Sequence, residues 1–281
     1  MQMNSYVHIV AGHKHQKTYL KNSYCDHPFK LANVTEDKSG DLLRLMITST
    51  SPGVLDNDHY HIKINVQEDA KMYLTTQGYQ RLFTMNNQAS QNMNVEVGNN
   101  SSFHFLPHPN VPHKASSFSS VSNIRLCKNH HLIWSEIITC GRKLSGEEFI
   151  FKRFHSVTNI YLYNKLVVKE NVLLEPFKNN MHTIGQLEGY THQSTLLFID
   201  DKFDMVKLLG SCKSLLSPFE DIAYGISRLP VNGLIFRVLS NKAEKLFKIN
   251  NSLALLIHKL KDKNAQPENT TCKIITNEIH N

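Results

Sequence analysis

The chain has 281 residues, of which 41% are hydrophobic and 12 are glycine, enough apolar content for a buried core and too much for a disordered chain. At one domain per roughly 100–200 residues, this allows one large or two small domains. Lys and Arg outnumber Asp and Glu by 31 to 24, a net charge of +7, which favours an acidic partner surface of some kind, but no aromatic-basic signature of a nucleic-acid module accompanies it.

The first residues, Met1 to Ser5, lack the basic and then apolar regions of a signal peptide, and no stretch approaches a membrane span of roughly 18 apolar residues. A soluble, intracellular protein is expected. The five cysteines, Cys25, Cys127, Cys140, Cys212 and Cys272, show no metal or redox spacing and fit reduced thiols in a cytosol.

Period-two alternation, the mark of half-buried strands, runs from about Tyr6 to Asp201. Leu42 to Thr48 is a strand candidate. From His59 to Val66, Tyr60, Ile62, Ile64 and Val66 share one face and His59, His61, Lys63 and Asn65 the other; a turn at Glu68-Asp69 leads to Ala70, Met72 and Leu74. About thirty residues later the unit recurs as Met93, Val95 and Val97, a turn at Gly98-Asn99-Asn100, then Phe103 and Phe105. Such repetition fits either stacked solenoid-like units or a simple meander. The polar segment Asn86 to Asn94 reads as an exposed loop. Further strands are expected at Leu132 to Ile138, Phe149 to Phe154, Thr158 to Tyr163, Leu166 to Leu174 and Ser194 to Ile199.

The last third changes character. Ser217-Pro218-Phe219-Glu220 has a capping serine, a proline at the first helical position and a glutamate at the third, so a helix is expected to about Arg228, ended by Pro230 and Gly233. Gly233 to Leu239 reads as a strand. Asn241-Lys242-Ala243-Glu244 opens a second helix whose stripe is Leu246, Phe247, Leu253, Ala254, Ile257 and Leu260. Lys261 to Asn281 is polar and expected to be loosely held.

Sixteen histidines raise a metal reading, because imidazole suits nickel, zinc and copper. His59 with His61, and His13 with His15, have the spacing of a shared strand face, but a closed site needs more ligands than two. His130 and His131 read as ordinary surface groups. No phosphate-binding glycine loop, nucleophile elbow or zincin helix is present. Cys140 beside Gly141-Arg142 reads as a small apolar residue at a strand end. Glu136 alternates with Trp134 and Ile138. A carboxylate on that face means either that the face looks outward, the favoured reading, or that it lines a wet internal space.

Several segments in one order bear a likeness. Ser51-Pro52-Gly53-Val54-Leu55-Asp56-Asn57-Asp58, Leu74-Thr75-Thr76-Gln77, Leu106-Pro107-His108-Pro109-Asn110-Val111-Pro112 and Glu136-Ile137-Ile138-Thr139-Cys140-Gly141-Arg142 with Gly146-Glu147 are followed by Gly189-Tyr190 before Ser194-Thr195-Leu196-Leu197, and by Gly233-Leu234-Ile235-Phe236-Arg237-Val238-Leu239. Together they resemble the UreD (UreH) family of urease accessory proteins. Val54 to Asn57 stand where that family usually has glycines, and Cys140 where proline is frequent.

The resemblance implies a mainly β, superhelical or solenoid-like body with about two α-helices in the C-terminal third, as one domain over 1–281: a β body to about 210, helix-strand-helix over about 211–260, and a polar tail. It implies a non-catalytic scaffold and conduit that binds apo-urease, a UreF-like protein and, through it, a UreG-like GTPase. Nickel would pass transiently, with no tightly bound cofactor, to the urease active site. The residues it nominates for the passage or the urease-facing surface are Asp58, Thr75, Thr76, Gln77, Glu136, Arg142 and Glu147. Partner-binding candidates on the last helix are Leu246, Lys248, Leu256 and Lys259. Two other readings compete: a β-barrel metalloenzyme using His59 and His61, and a polymer-binding β-solenoid, which needs a stripe of exposed aromatics.

Overall fold

The computed structural model describes residues 3–37 and 39–265. The chain begins with a hairpin of β1 (Met3–Lys14) and β2 (Lys17–Cys25). A second hairpin, β3 (Phe29–Asn33) and β4 (Leu42–Ser49), lies in another sheet. The chain then winds between the two sheets. β5 (Asp58–Val66) enters the first and β6 (Lys71–Thr76) the second, followed by the short β7 (Gln80–Leu82). β8 (Ala89–Val97) and β9 (Ser102–Phe105) repeat the step, with β10 (Asn110–Pro112) after them. β11 (Ser117–Leu126) and β12 (His131–Thr139) repeat it again.

In the first sheet β1, β5, β8, β11 and β13 (Arg153–Leu162) are parallel neighbours, and β14 (Lys165–Leu174) ends it in antiparallel pairing. In the second, β4, β6, β9 and β12 are parallel. β15 (His192–Asp200) adds to β12 in antiparallel fashion. After α1 (Met205–Leu216), β16 (Ile222–Arg228) and β17 (Gly233–Ser240) extend that sheet, and α2 (Ala243–Ala265) crosses its outer face. The two units seen in the sequence are thus consecutive coils of a superhelical body. Asp69, Asn100 and Asn129 take φ of 61°, 55° and 54° at the matching corner of three coils, a left-handed conformation that Asn and Asp tolerate.

Alternation decides what lies between the sheets. Ile62, Ile64, Val66, Met93, Val95, Val97, Ile124 and Leu126 of the first sheet meet Leu45, Met72, Leu74, Phe103, Leu132 and Trp134 of the second in one core. A second core packs Ile133, Ile137, Leu196, Phe198, Leu234 and Phe236, on the other face of that sheet, against Leu208, Cys212 and Leu216 of α1 and Leu246, Ile249, Leu253 and Ile257 of α2. Burying each such side chain stabilises by about 1.5–3 kcal/mol.

Several expectations are corrected. The helix expected from Ser217 to about Arg228 is instead β16, and the first helix lies earlier. Asp204 caps that helix through the amides of Val206 and Lys207. Ser217 caps its end in helical geometry, φ −56° and ψ −32°, its amide still donating to the Lys213 carbonyl, and Pro218, with no amide hydrogen to donate, does not continue the helix. The helix-strand-helix division at about 211 therefore gives way to helix, two strands, helix. The loop expected at Asn86 to Asn94 is strand from Ala89, with exposed Asn92 and Asn94 on the outer face and buried Met93 inside. Phe149 to Lys152 lie outside β13, whose first residue is Arg153. Neither sheet closes into a barrel. α2 continues to Ala265, and the rest of the expected polar tail lies outside the described residues. Among the described residues no helix is long and apolar enough to cross a membrane.

Candidate functional site

Between the sheets lies a cavity of about 270 Å³, room for several waters. Its mouth is formed where β4, β6 and β9 end, by Ser49 and Ser51 to Val54, by Gln77 to Gln80 and by Pro107, His108 and Asn110. Tyr60, Gln91, Met93, Phe105, Trp134 and, deepest in the sheet order, Ser120, Ser122 and Glu136 line its interior. Glu136 therefore faces an internal cavity of mixed polar and apolar lining and not the outside, against the favoured reading. Its carboxylate accepts a hydrogen bond from the Ser156 hydroxyl at 2.8 Å, and Ser120 donates to Ser156 at 3.0 Å. Burial pushes the Glu136 carboxyl up to about 7, with Ser156 working against the shift and nearby Glu170 adding to it.

The polar residues continue as a lane across both sheets. In the first sheet Ser122 pairs with Thr158 and Thr158 with Glu170. In the second, Glu136 pairs with Thr195 and Thr195 with Arg237. Arg237 Nη2 meets Glu170 Oε2 at 2.6 Å, at a surface groove that Gln193 and Tyr224 also line. The lane thus runs from the mouth at Thr76 and Gln77 to an ion pair on the opposite flank. Ser120, Ser122, Ser156, Thr158, Thr195, Glu170 and Arg237 do not stand out in the sequence by themselves. A signal exists: Phe118-x-Ser120-x-Ser122-x-Ile124 and Phe154-x-Ser156-x-Thr158-x-Ile160 place hydroxyls at inward positions of adjacent strands.

Of the nominated residues, Thr76, Gln77 and Glu136 line this space. Thr76 Oγ1 accepts the His108 amide at 2.9 Å and so joins the ends of β6 and β9. Thr75 points the other way and donates to the Leu106 carbonyl at 2.7 Å. Asp58 is buried behind the lining, where its Oδ2 accepts the Leu55 amide at 2.8 Å and the Tyr60 hydroxyl at 2.7 Å. Burial and then Asp58 push the Tyr60 phenol upward. Arg142 and Glu147 sit outside the cavity as a two-pronged ion pair in the turn after β12, and Glu147 also accepts the Lys114 amide at 3.1 Å. Hydrogen bonding by Arg142 lowers the Glu147 carboxyl. Gly141, φ 126°, allows this turn, since a Cβ there would lie 2.8 Å from the Glu147 carbonyl oxygen.

On α2, Lys248 and Lys259 are exposed and Leu256 is half-buried against the second core. Leu246 is fully buried, so as a partner contact it is corrected to core. Leu255 is the large apolar side chain that the helix exposes. α2 also touches the mouth of the cavity: Tyr79 donates to Glu244 Oε1 at 2.8 Å, and Phe247 stacks on His108 at 4.3 Å.

His59 and His61 lie on the outer face of the first sheet, the former on Ser90 Oγ at 2.7 Å and the latter stacked on Tyr6. His13 faces Asp41 at 3.5 Å, while His15 sits in the β1–β2 turn. Among the described residues no three His, Cys, Asp or Glu side chains are grouped to hold a metal ion. His130 and His131, expected at the surface, are buried. Cys140 is fully buried, and burial pushes its thiol up to about 11, as fits a packing residue.

A family model described as UreD urease accessory protein matches residues 3–271. The chain is 44% identical over 245 residues to a urease accessory protein UreD of Flavobacterium johnsoniae, covering 86% of this chain and 87% of that protein. It is 32% identical over 243 residues to a protein of the same name from Acetivibrio thermocellus, covering 86% and 92%. With a urease accessory protein UreH of Helicobacter hepaticus the identity is 31% over 240 residues, covering 85% and 92%. The match over residues 3–271 and the identity to these relatives agree, and the chain belongs to the UreD family of urease accessory proteins.

Proposed function

We propose that this chain is a non-catalytic scaffold in urease maturation and that its internal polar lane carries nickel ions toward apo-urease. The observation that carries this reading is the row of Thr76, Gln77, Ser120, Ser122, Glu136, Ser156 and Thr158 inside an otherwise apolar two-sheet body. Packing alone gives no reason for a line of hydroxyls at core positions, since each buried polar group must find a partner to avoid a penalty.

The donor chemistry suits transit. Nickel stands near the top of the divalent affinity order, so a full set of imidazole or thiolate ligands would hold it. Hydroxyls, amides and two carboxyl groups bind it loosely and let it move on. Glu136, whose ionised form burial disfavours, and Glu170 place carboxyl oxygens along the way, and Arg237 neutralises Glu170 at the far end. Nickel is cargo here.

The partners in this reading are apo-urease, a UreF-like protein and a UreG-like GTPase reached through it. The exposed side of α2, with Lys248, Leu255 and Lys259, is the proposed UreF-like contact. Its attachment to Tyr79 and His108 ties that contact to the mouth of the lane. Glu136→Ala and Thr76→Val variants, coexpressed with the partners and urease, test the reading. The expected result is copurification of the partners as for the unaltered chain, with urease activation reduced severalfold. Normal activation by both variants would make these residues structural and overturn the conduit.

A further inference from the structure

Outside the lane, on the outer face of the second sheet, three imidazoles lie under the last turns of α2. His104 of β9 is 5.0 Å from His131 of β12 and 4.9 Å from His258 of α2, ring centre to ring centre, and His131 is 6.4 Å from His258. His104 and His131 are almost completely buried. His104 Nε2 meets the Ser102 hydroxyl at 3.1 Å. His131 donates from Nδ1 to Asp200 Oδ2 of β15 at 2.6 Å, leaving its Nε2 buried with no hydrogen-bond partner. Among the described residues, the remaining charges facing the cluster are Arg44 of β4, stacked on Tyr73 of β6, and Lys261 of α2, 3.4 Å from Asp200. Beside it, His130 Nε2 lies 3.4 Å from Asp201.

This surrounding is hostile to imidazolium. Against one buried carboxylate stand Lys261, Arg44 and two further rings. Burial first, then the charges of His131, His258, Lys261 and Arg44, holds His104 well below its ordinary range. Burial brings His131 down to about 4 although Asp200 opposes the shift. Burial also works against ionised Asp200, but His131, the Lys202 amide and Lys261 outweigh it and keep that carboxyl at about 2. At neutral pH the cluster is therefore two neutral buried rings beside an ionised aspartate.

We propose that the C-terminal half of α2, from Leu253 onward, is an acid-released latch: protons taken up by His104 and His131 place like charge between sheet and helix and free this segment. The first half stays docked through Leu246, Ile249, Phe247 on His108 and Ser194 on Asn250.

The direction follows from proton linkage. An exposed imidazole takes a proton near pH 6.5, whereas the docked rings resist it, so the open form binds more protons below that pH. Docking is fully supported above about pH 6.5 and weakens as pH falls. Each ring shifts opening tenfold per pH unit, so the two together reach roughly a hundredfold per unit. The proposal does not rest on the urease reading.

Hydrogen exchange of the full chain, corrected for the intrinsic pH dependence, tests it. Between pH 7.5 and 5.5 the amides of residues 253–261 should lose protection at least tenfold, while those of β12 and of residues 246–249 hold theirs. His104→Gln and, separately, His131→Gln should each lower the pH slope by about one proton. Equal protection at the two pH values, loss of β12 protection together with the helix, or an unchanged slope in both variants would overturn the latch.

Discussion

At the scale of single residues, the sharpest contrast lies between Asp58 and Glu136, two acids of the family-like motifs with opposite physics. Asp58 satisfies two donors, Leu55 N–H and the Tyr60 hydroxyl, in a buried corner. Asp58→Ala is expected to destabilise the fold by about 2–4 kcal/mol, because both donors lose a charged acceptor, and urea unfolding checks this. Glu136 instead faces the cavity with one hydroxyl donor, and burial raises its carboxyl to about 7. The fold therefore favours the protonated form. Stability from this group is fully present below about pH 4.5, its ordinary range, and is lost as pH rises through 7, about 3 kcal/mol in all. Glu136→Gln should flatten the fall in melting temperature between pH 5 and 8 and leave the protein no less stable at pH 8. A variant whose pH profile matches the unaltered chain would show that the carboxylate is well solvated. A residue that weakens its own fold when ionised is one whose presence packing does not explain.

At the scale of elements, alternation makes most strands legible in the amino-acid sequence, because inward and outward faces differ so plainly in β4, β5 and β8. The C-terminal helix is legible from its apolar stripe. The exchange of α1 and β16 is not, since Ser217-Pro218 satisfies the pattern of a helix start as well as that of a helix end, and only the packing of Leu208, Cys212 and Leu216 decides. Within α2, periodicity marks a face but not its depth. Leu246→Ala should cost about 2–5 kcal/mol by thermal or chemical unfolding, as expected for a cavity in a core. Lys248→Glu and Lys259→Glu should change stability by less than about 0.5 kcal/mol and act instead on copurification of the UreF-like protein. In the turn after β12, Gly141→Ala should destabilise by about 2 kcal/mol, from strained backbone and the clash with Glu147, and a thermal shift reads it.

At the scale of the whole molecule, coils that alternate between two sheets generate an interior that a simple sandwich also has, and the difference is what fills it. Apolar residues close one part of the space between the sheets, while in another part Ser120, Ser122, Thr76 and Glu136 line a cavity together with Phe105 and Trp134. The sequence displays these residues but not their neighbours: Ser120 meets Ser156 across 36 positions, and Glu170 meets Arg237 across 67. A pairwise lane of this kind exists only once register is set, which is why the motif residues Thr76, Gln77 and Glu136 are legible in the sequence and their partners are not. The central claim is that ions use this lane. The measurement that tests it most directly is the nickel content of urease purified from cells in which Ser120→Leu, a plug in the cavity, replaces the unaltered chain. The expected result is a complex with partners and urease that forms as before but delivers severalfold less nickel per active site. Full nickel loading past the plug would contradict it.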